Sequence, residues 1–188
     1  LCIRGTWTSG ATPGSNQVGV KMIALSTAVS SNRNSFKNIL FKGQSTGVMS
    51  DFDVVENVFD HCEFDTLRYG MVWGETTSIG GQGMATGPQR NVVHNSEFHD
   101  IDRQALWVHK GQFNASHNNR FISVGNNGGT EGNAVYSVIK FTDGTALSNS
   151  SNSDWFDRTA SLSYDQNFIS GYAYIPEVEG PGVFDNEF

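Results

Sequence analysis

At 188 residues the chain is long enough for one domain with a substantial core, and no break in composition across 1–188 marks a second. Its formal charge of -7 and pI near 5.1 repel a phosphate backbone, no Lys/Arg cluster offers a local exception, and no apolar run approaches the ~20 residues that cross a bilayer, so neither nucleic acid nor membrane insertion is expected. Cys2 and Cys62 are too few for a disulfide scaffold, and neither they nor the five histidines show metal-ligand spacing, so no metal and no cofactor is expected.

Few charges, 21 glycines and recurrent Asn and Ser suit many turns joining short strands. The first β-rich run is Val-Gly-Val-Lys-Met-Ile-Ala-Leu at 18–25. A phrase then opens at Asn34 and ends at Phe41. The same frame, Asn first and Phe seven residues later, returns at Asn57 to Phe64, Asn91 to Phe98 and Asn114 to Phe121. Three residues before each Phe stand Asn38, His61, Asn95 and Asn118, and weaker copies close at Phe168 and Phe188. From Phe41 to Phe64 is 23 residues, to Phe98 a further 34, and to Phe121 again 23. The longer step contains the Gly-rich segment 75–89, which reads as an inserted loop.

A repeat of this length with one fixed apolar residue predicts an all-β solenoid, a parallel β-helix with coils of about 23 residues and inserted loops. Strand alternation lets the four Phe side chains point inward and stack at the ~4.8 Å spacing of neighbouring strands. Asn residues at the bends can pass amide hydrogen bonds from coil to coil, and the two Asn-rich positions predict two stabilised bends. A β-sandwich of short strands is the structural rival, but it leaves the repeated Asn spacing unexplained. Since a repeat signature begins again near Phe188, the chain reads as part of a longer polypeptide.

Two further strands follow Phe anchors at the same distance: Met71-Val-Trp-Gly-Glu75 and Ala105-Leu-Trp-Val-His109. Alternation allows Val72 and Gly74 to align inward with Leu106 and Val108. That leaves Trp73 and Glu75 outside beside Trp107 and His109, with Tyr136 extending the row. The opposite parity would bury both tryptophans. An outward aromatic row flanked by a carboxylate and an imidazole suits sugar recognition, because a pyranose face stacks on a ring while its hydroxyls seek polar partners.

Catalysis has weaker candidates. Glu63 and Glu97 each precede their Phe and should sit in successive coils, with Arg120 next, which is a carboxyl pair or simply a solvated Glu, Glu, Arg stripe. His99-Asp-Ile-Asp-Arg103 gathers an imidazole, Asp100, Asp102 and a guanidinium, the groups a lyase on acidic sugars would use, although Asp is also common in turns. Glu75 with His109 is the remaining pair. The residues therefore support binding better than catalysis.

The phrases Glu56-Asn-Val-Phe-Asp-His-Cys-Glu-Phe64 and Arg90-Asn-Val-Val-His-Asn-Ser-Glu-Phe98 resemble coils of the right-handed parallel β-helix, pectate-lyase-like superfamily, and most of all bacteriophage tailspike and tail-fibre domains. The resemblance spans residues 34–141. It implies a right-handed β-helix, a homotrimer or larger virion assembly, a place on the virion tail or outside the cell, and a cell-surface glycan as partner, bound and in some members cleaved. No catalytic signature of the superfamily transfers residue by residue. A glycan-binding tail protein, a polysaccharide depolymerase and a structural spacer are the three functional expectations.

Overall fold

The computed structural model describes residues 1–6, 17–22, 32–50, 54–74, 88–109, 111–125, 139–142, 150–152, 154–157 and 182–184. Those residues are all-β. The chain starts with β1 (Cys2–Arg4) and β2 (Val18–Met22). It then repeats a three-strand round: β3 (Ser35–Lys37), β4 (Leu40–Lys42) and β5 (Thr46–Ser50), followed by β6 (Val58–Asp60), β7 (Glu63–Leu67) and β8 (Tyr69–Trp73). Next come β9 (Val92–His94), β10 (Glu97–Ile101) and β11 (Leu106–His109), then β12 (Ala115–His117), β13 (Arg120–Val124) and β14 (Ile139–Thr142), and last β15 (Ser150–Asn152), β16 (Trp155–Asp157) and β17 (Gly182–Phe184).

Three sheets result, β1-β4-β7-β10-β13-β16, β2-β5-β8-β11-β14 and β3-β6-β9-β12-β15-β17, and every pairing among the described strands is parallel. Neighbours in a sheet lie almost always three strands apart in sequence. The chain thus visits all three sheets before it returns to the first, the stacked-strand arrangement of a solenoid.

Packing explains the repeat. Phe41, Phe64, Phe98 and Phe121 are in register and fully buried. Their rings stack at 4.9, 4.4 and 5.0 Å, with interplanar angles of 8°, 3° and 17°. Phe36 and Phe59 form a second stack at 4.6 Å. Across the core, Gly19, Gly47 and Gly70 stand in register on the second sheet, and a Cβ there would lie 3.0, 2.9 and 2.8 Å from the rings of Phe41, Phe64 and Phe98. Each Phe occupies the space that its glycine leaves empty.

The first Asn position forms the predicted ladder. Asn57 Oδ1 accepts from Asn34 N and Nδ2 at 3.0 and 2.8 Å, Asn91 Oδ1 from Asn57 at 3.0 and 2.9 Å, and Asn114 Oδ1 from Asn91 at 3.0 and 3.0 Å. The residue before each rung, Arg33, Glu56, Arg90 and Phe113, turns the corner with φ between 53° and 59°.

The second Asn position differs from expectation. Asn38, His61, Asn95 and Asn118 have φ of 50° to 55° and are exposed, so they supply the left-handed turn that Asn and His tolerate better than most residues. The second ladder lies one residue later. Cys62 N donates to Ser96 Oγ at 3.0 Å, Ser96 N to Asn119 Oδ1 at 2.9 Å and Asn119 N to Asp154 Oδ1 at 2.8 Å. The Phe row also continues differently: Phe121 pairs with Phe156, 35 residues on, and the weaker copy at Phe168 lies outside the described residues. The copy at Phe188 likewise lies outside the described residues, and Gly182–Phe184 before it pairs in the third sheet.

Truncating Asn91→Ala removes the acceptor of a buried Asn57 N–H and both bonds of its own amide, the others going to Val54 O and Asn114 Oδ1 at 2.9 and 3.0 Å. It should destabilise the chain by about 2–4 kcal/mol, read as a lower urea midpoint at unchanged m-value. Asn34→Ala, at the less buried end of the row, should cost less than half as much.

Candidate functional site

Parity decides where the tryptophans go. Met71 and Trp73 pair with Leu106 and Val108, all four essentially inaccessible, while Trp107 pairs with Val72. The expected alignment of Val72 and Gly74 with Leu106 and Val108 is therefore one residue out, and Trp73 is a core residue instead of an outward platform. Its ring packs on Phe59 at 6.4 Å, and its Nε1 finds no partner among the described residues. Gly74, at φ 84°, ends the strand immediately after it. A Trp fills the core where Gly cannot, which sets the parity the other way.

Trp107 stays partly exposed between core Leu106 and Val108. Its neighbour is Tyr69, at 6.2 Å between ring centroids and 37° between planes. Tyr69 in turn lies between two guanidinium groups, Arg68 at 5.6 Å and Arg103 at 5.4 Å from its ring centroid, and Arg103 Nη1 donates to the Tyr69 hydroxyl. Arg103 N donates to Arg68 O at 2.9 Å, and since each N–H in these parallel strands donates to the residue before its register partner, Arg103 stands over Tyr69 on the next coil, where the first sheet turns into the second. Asp102, over Arg68, is almost fully buried. The sequence signal for this patch is an aromatic next to Arg in one coil and Arg103 ahead of the Trp strand in the next. Tyr69 does not fit the Trp-to-Trp spacing and is missed by it.

The carboxylate candidates fall on the outer face of the first sheet. Glu63, Glu97 and Arg120 form the expected stripe, in register, with Arg120 Nη1 3.0 Å from Glu97 Oε2. Beside it runs the row Lys42, Asp65 and His99. His99 Nε2 lies 2.9 Å from Glu63 Oε1, and its Nδ1 lies 3.5 Å from Asp65 Oδ1 and 3.6 Å from Asp100 Oδ2. Lys42 pairs with Asp65, and Thr66 Oγ1 donates to Asp65 Oδ1 at 2.6 Å. Asp100 itself is a left-handed turn residue, φ 54°, with its carboxylate largely in solvent.

Glu63, Asp65 and His99 each offer one ligand atom, all within 4.8 Å of one another, a grouping invisible in sequence because 36 residues separate Glu63 from His99. Lys42, Thr66 and His99 already satisfy the carboxylates, so the group reads first as an ion-paired row. Burial pushes the Asp65 carboxyl up, but Lys42, Thr66 and His99 outweigh it and hold it below the usual range. Burial likewise works against a charged His99, and Glu63, Asp65 and Asp100 reverse that and raise its pKa.

The third sheet carries another row. Asp60 is held well below the usual carboxylate range by Lys37 at 2.8 Å and Asn95 at 3.1 Å, then by His61 at 2.5 Å. Next in register, His94 and His117 stack at 4.9 Å. Burial, then the neighbouring His94, lowers the His117 pKa. Glu75 and Tyr136 lie outside the described residues. His109 closes β11, paired with Thr142.

No protein-family profile and no curated protein sequence matches the chain. Among solved structures it is similar to full-length tailspike protein 2 from the Escherichia coli O157:H7 bacteriophage CAB120, at 12% identity and a TM-score of 0.37. That likeness covers 98% of this chain and 30% of the tailspike, so the chain spans under a third of that protein's length.

Two histidines give opposite pH signatures. The folded pKa of His117 lies below its ordinary 6.5, so the unfolded chain binds the extra proton and stability falls as pH drops below about 6.5. The folded pKa of His99 lies above 6.5, so its contribution is complete below that value and is lost as pH rises through the folded pKa. Urea titrations should show that His117→Gln flattens the stability loss as pH falls below about 6.5, while His99→Gln removes the decline as pH rises above about 6.5. Unchanged pH profiles in both variants would contradict the two placements.

Proposed function

We propose that the chain is a right-handed β-helix domain of a bacteriophage tail spike or tail fibre, displayed on the virion as a homotrimer, and that it binds a host cell-surface polysaccharide. The observation that carries the binding is the Tyr69 and Trp107 pair, two partly exposed aromatic rings contributed by successive coils and bracketed by Arg68 and Arg103. A stacked parallel scaffold holds such rings at fixed separation with little entropy left to lose, which favours a repeating ligand that lies across coils. Aromatic faces take the apolar side of a sugar, and guanidinium groups take its oxygens. Resemblance of the repeat phrases to tailspike coils supports the setting on a phage tail.

A second reading, polysaccharide depolymerase, draws on the row of Glu63, Asp65 and His99. Its carboxyl oxygens lie within 4.8 Å, near the ~5 Å of retaining glycosidases, and His99 with its raised pKa is the available proton donor.

Incubation with capsular and lipopolysaccharide preparations separates these readings. Retained glycan of unchanged length is the expected result. Shortened chains that disappear in Asp65→Asn would establish the depolymerase, and neither outcome would leave a structural spacer. Trp107→Ala should weaken retention tenfold or more, about 1.4 kcal/mol or above, with an unchanged melting temperature. Trp73→Ala should instead cost about 3–5 kcal/mol of stability.

A further inference from the structure

We propose that Glu63, Asp65 and His99 form a binding site for a divalent transition-metal ion of the zinc type, which would clasp two successive coils of the first sheet. Glu63 and Asp65 stand two residues apart on one face of β7, and Asp65 is in register with His99 on β10. Three donors from two paired strands thus meet on the outer face of the sheet. Their ligand atoms lie within 4.8 Å of one another, and no other three His, Cys, Asp or Glu side chains among the described residues converge in this way. Nitrogen and oxygen ligands at ~2.1 Å around a tetrahedral zinc ion sit ~3.4 Å from one another. Here His99 Nδ1 is 3.5 Å from Asp65 Oδ1, and His99 Nε2 is 2.9 Å from Glu63 Oε1. An ion takes one of the two ring nitrogens, and rotation of the half-exposed Glu63 side chain brings its carboxylate to the same side.

The ion-paired row does not stand in the way, because the ion replaces the proton that His99 carries when it pairs with the carboxylates. Lys42 holds Asp65 through Oδ2, and Thr66 Oγ1 donates to Oδ1, the oxygen that faces His99. Outer partners of this kind orient a ligating carboxylate. Asp65 is almost buried, whereas Glu63 and Asp100 open to solvent, and Asp100 Oδ2 lies 3.6 Å from His99 Nδ1. Asp100 or water can therefore complete the coordination from the solvent side. Glu97, in register with Glu63, is engaged by Arg120. An imidazole with carboxylates suits zinc, cobalt or nickel, while calcium and magnesium favour oxygen ligands throughout.

Calorimetric titration of the full chain with zinc chloride, and with cobalt chloride followed by visible absorption, tests the site. A single ion per chain should bind, and saturating zinc should raise the melting temperature. His99→Gln and Asp65→Asn should each weaken zinc binding about tenfold or more and abolish the thermal shift. Glu63→Gln alters a half-exposed side chain outside the core and should weaken binding in the same direction, so the test holds even where a more buried variant unfolds. Melting curves without metal report which variants are folded. His94→Gln and His117→Gln, in the stacked pair of the third sheet, should leave the affinity unchanged, and calcium or magnesium should give no shift. The absence of saturable zinc binding, or binding that survives all three substitutions at 63, 65 and 99, would overturn the site. Binding lost instead in the His94 or His117 variant would overturn it equally, since the ion would then belong to the third sheet.

Discussion

On three successive coils a phenylalanine of the first sheet faces a glycine of the second, and the rest of the stack depends on that match. The Phe rings follow one another at 4.4 to 5.0 Å, close to the ~4.8 Å at which parallel strands repeat, so ring stacking and backbone pairing are satisfied by one translation. Each stacked pair adds about 0.5–1.5 kcal/mol beyond the area it buries. Those rings need room on the opposite wall. At Gly70 a Cβ would meet the Ala105 carbonyl at 2.4 Å as well as the Phe98 ring, and the next coil places Ala105 itself at this position. Small residues on one wall and rings on the other thus fix how far apart the two sheets can stand.

Corners are the second requirement, because a strand of three to five residues must end sharply and in the same way on every coil. Left-handed residues recur at three aligned places: before the first ladder, before the second, and at Gly43, Thr66, Asp100 and Ser123 within the first sheet. Non-glycine residues pay about 1–2 kcal/mol for that conformation. The ladders offset it, since each buried rung satisfies a backbone N–H that the turn has removed from the sheet. This explains why the position just after the second turn accepts Ser96, Asn119 and Asp154 alike: the requirement is an oxygen that accepts from the next coil, and all three supply one.

The periodic part of this scheme was legible in the sequence. The Phe row, the first Asn ladder and the Glu63, Glu97, Arg120 stripe are identities repeated at one spacing, and translation maps them directly onto space. What was not legible depends on a single residue of phase. A one-residue slip exchanges the faces of a strand, so the shared Trp in two strands suggested a register that packing does not allow, and Trp73 is buried where Trp107 is not. The same slip separates the visible Asn38, Asn95 and Asn118 from the ladder one residue later, whose side-chain rungs Ser96, Asn119 and Asp154 share no residue type. Phe156 was overlooked because Trp155 and Asp154 replace the usual residues before it. The contact of Glu63 with His99 needs the inserted segment before residue 88 to be discounted, since it changes the step from 23 to 34 residues without changing the stack.

These constraints also determine where a recognition surface can form. Inward positions are committed to rings and glycines, and ladder positions to amides and hydroxyls. On the flat outer faces, facing side chains lie close enough for opposite charges to pair, as Lys42 does with Asp65 and Arg120 with Glu97. A corner between two sheets is different, because the backbone diverges there and a long side chain can lean away from its own column. Arg68 and Arg103 use that latitude to reach the Tyr69 ring, one on each coil. The cation–π contacts, worth about 0.5–2 kcal/mol each, help to hold the Tyr69 ring beside Trp107. A corner built this way holds its two rings in place before any ligand arrives, so little entropy is left to lose on binding.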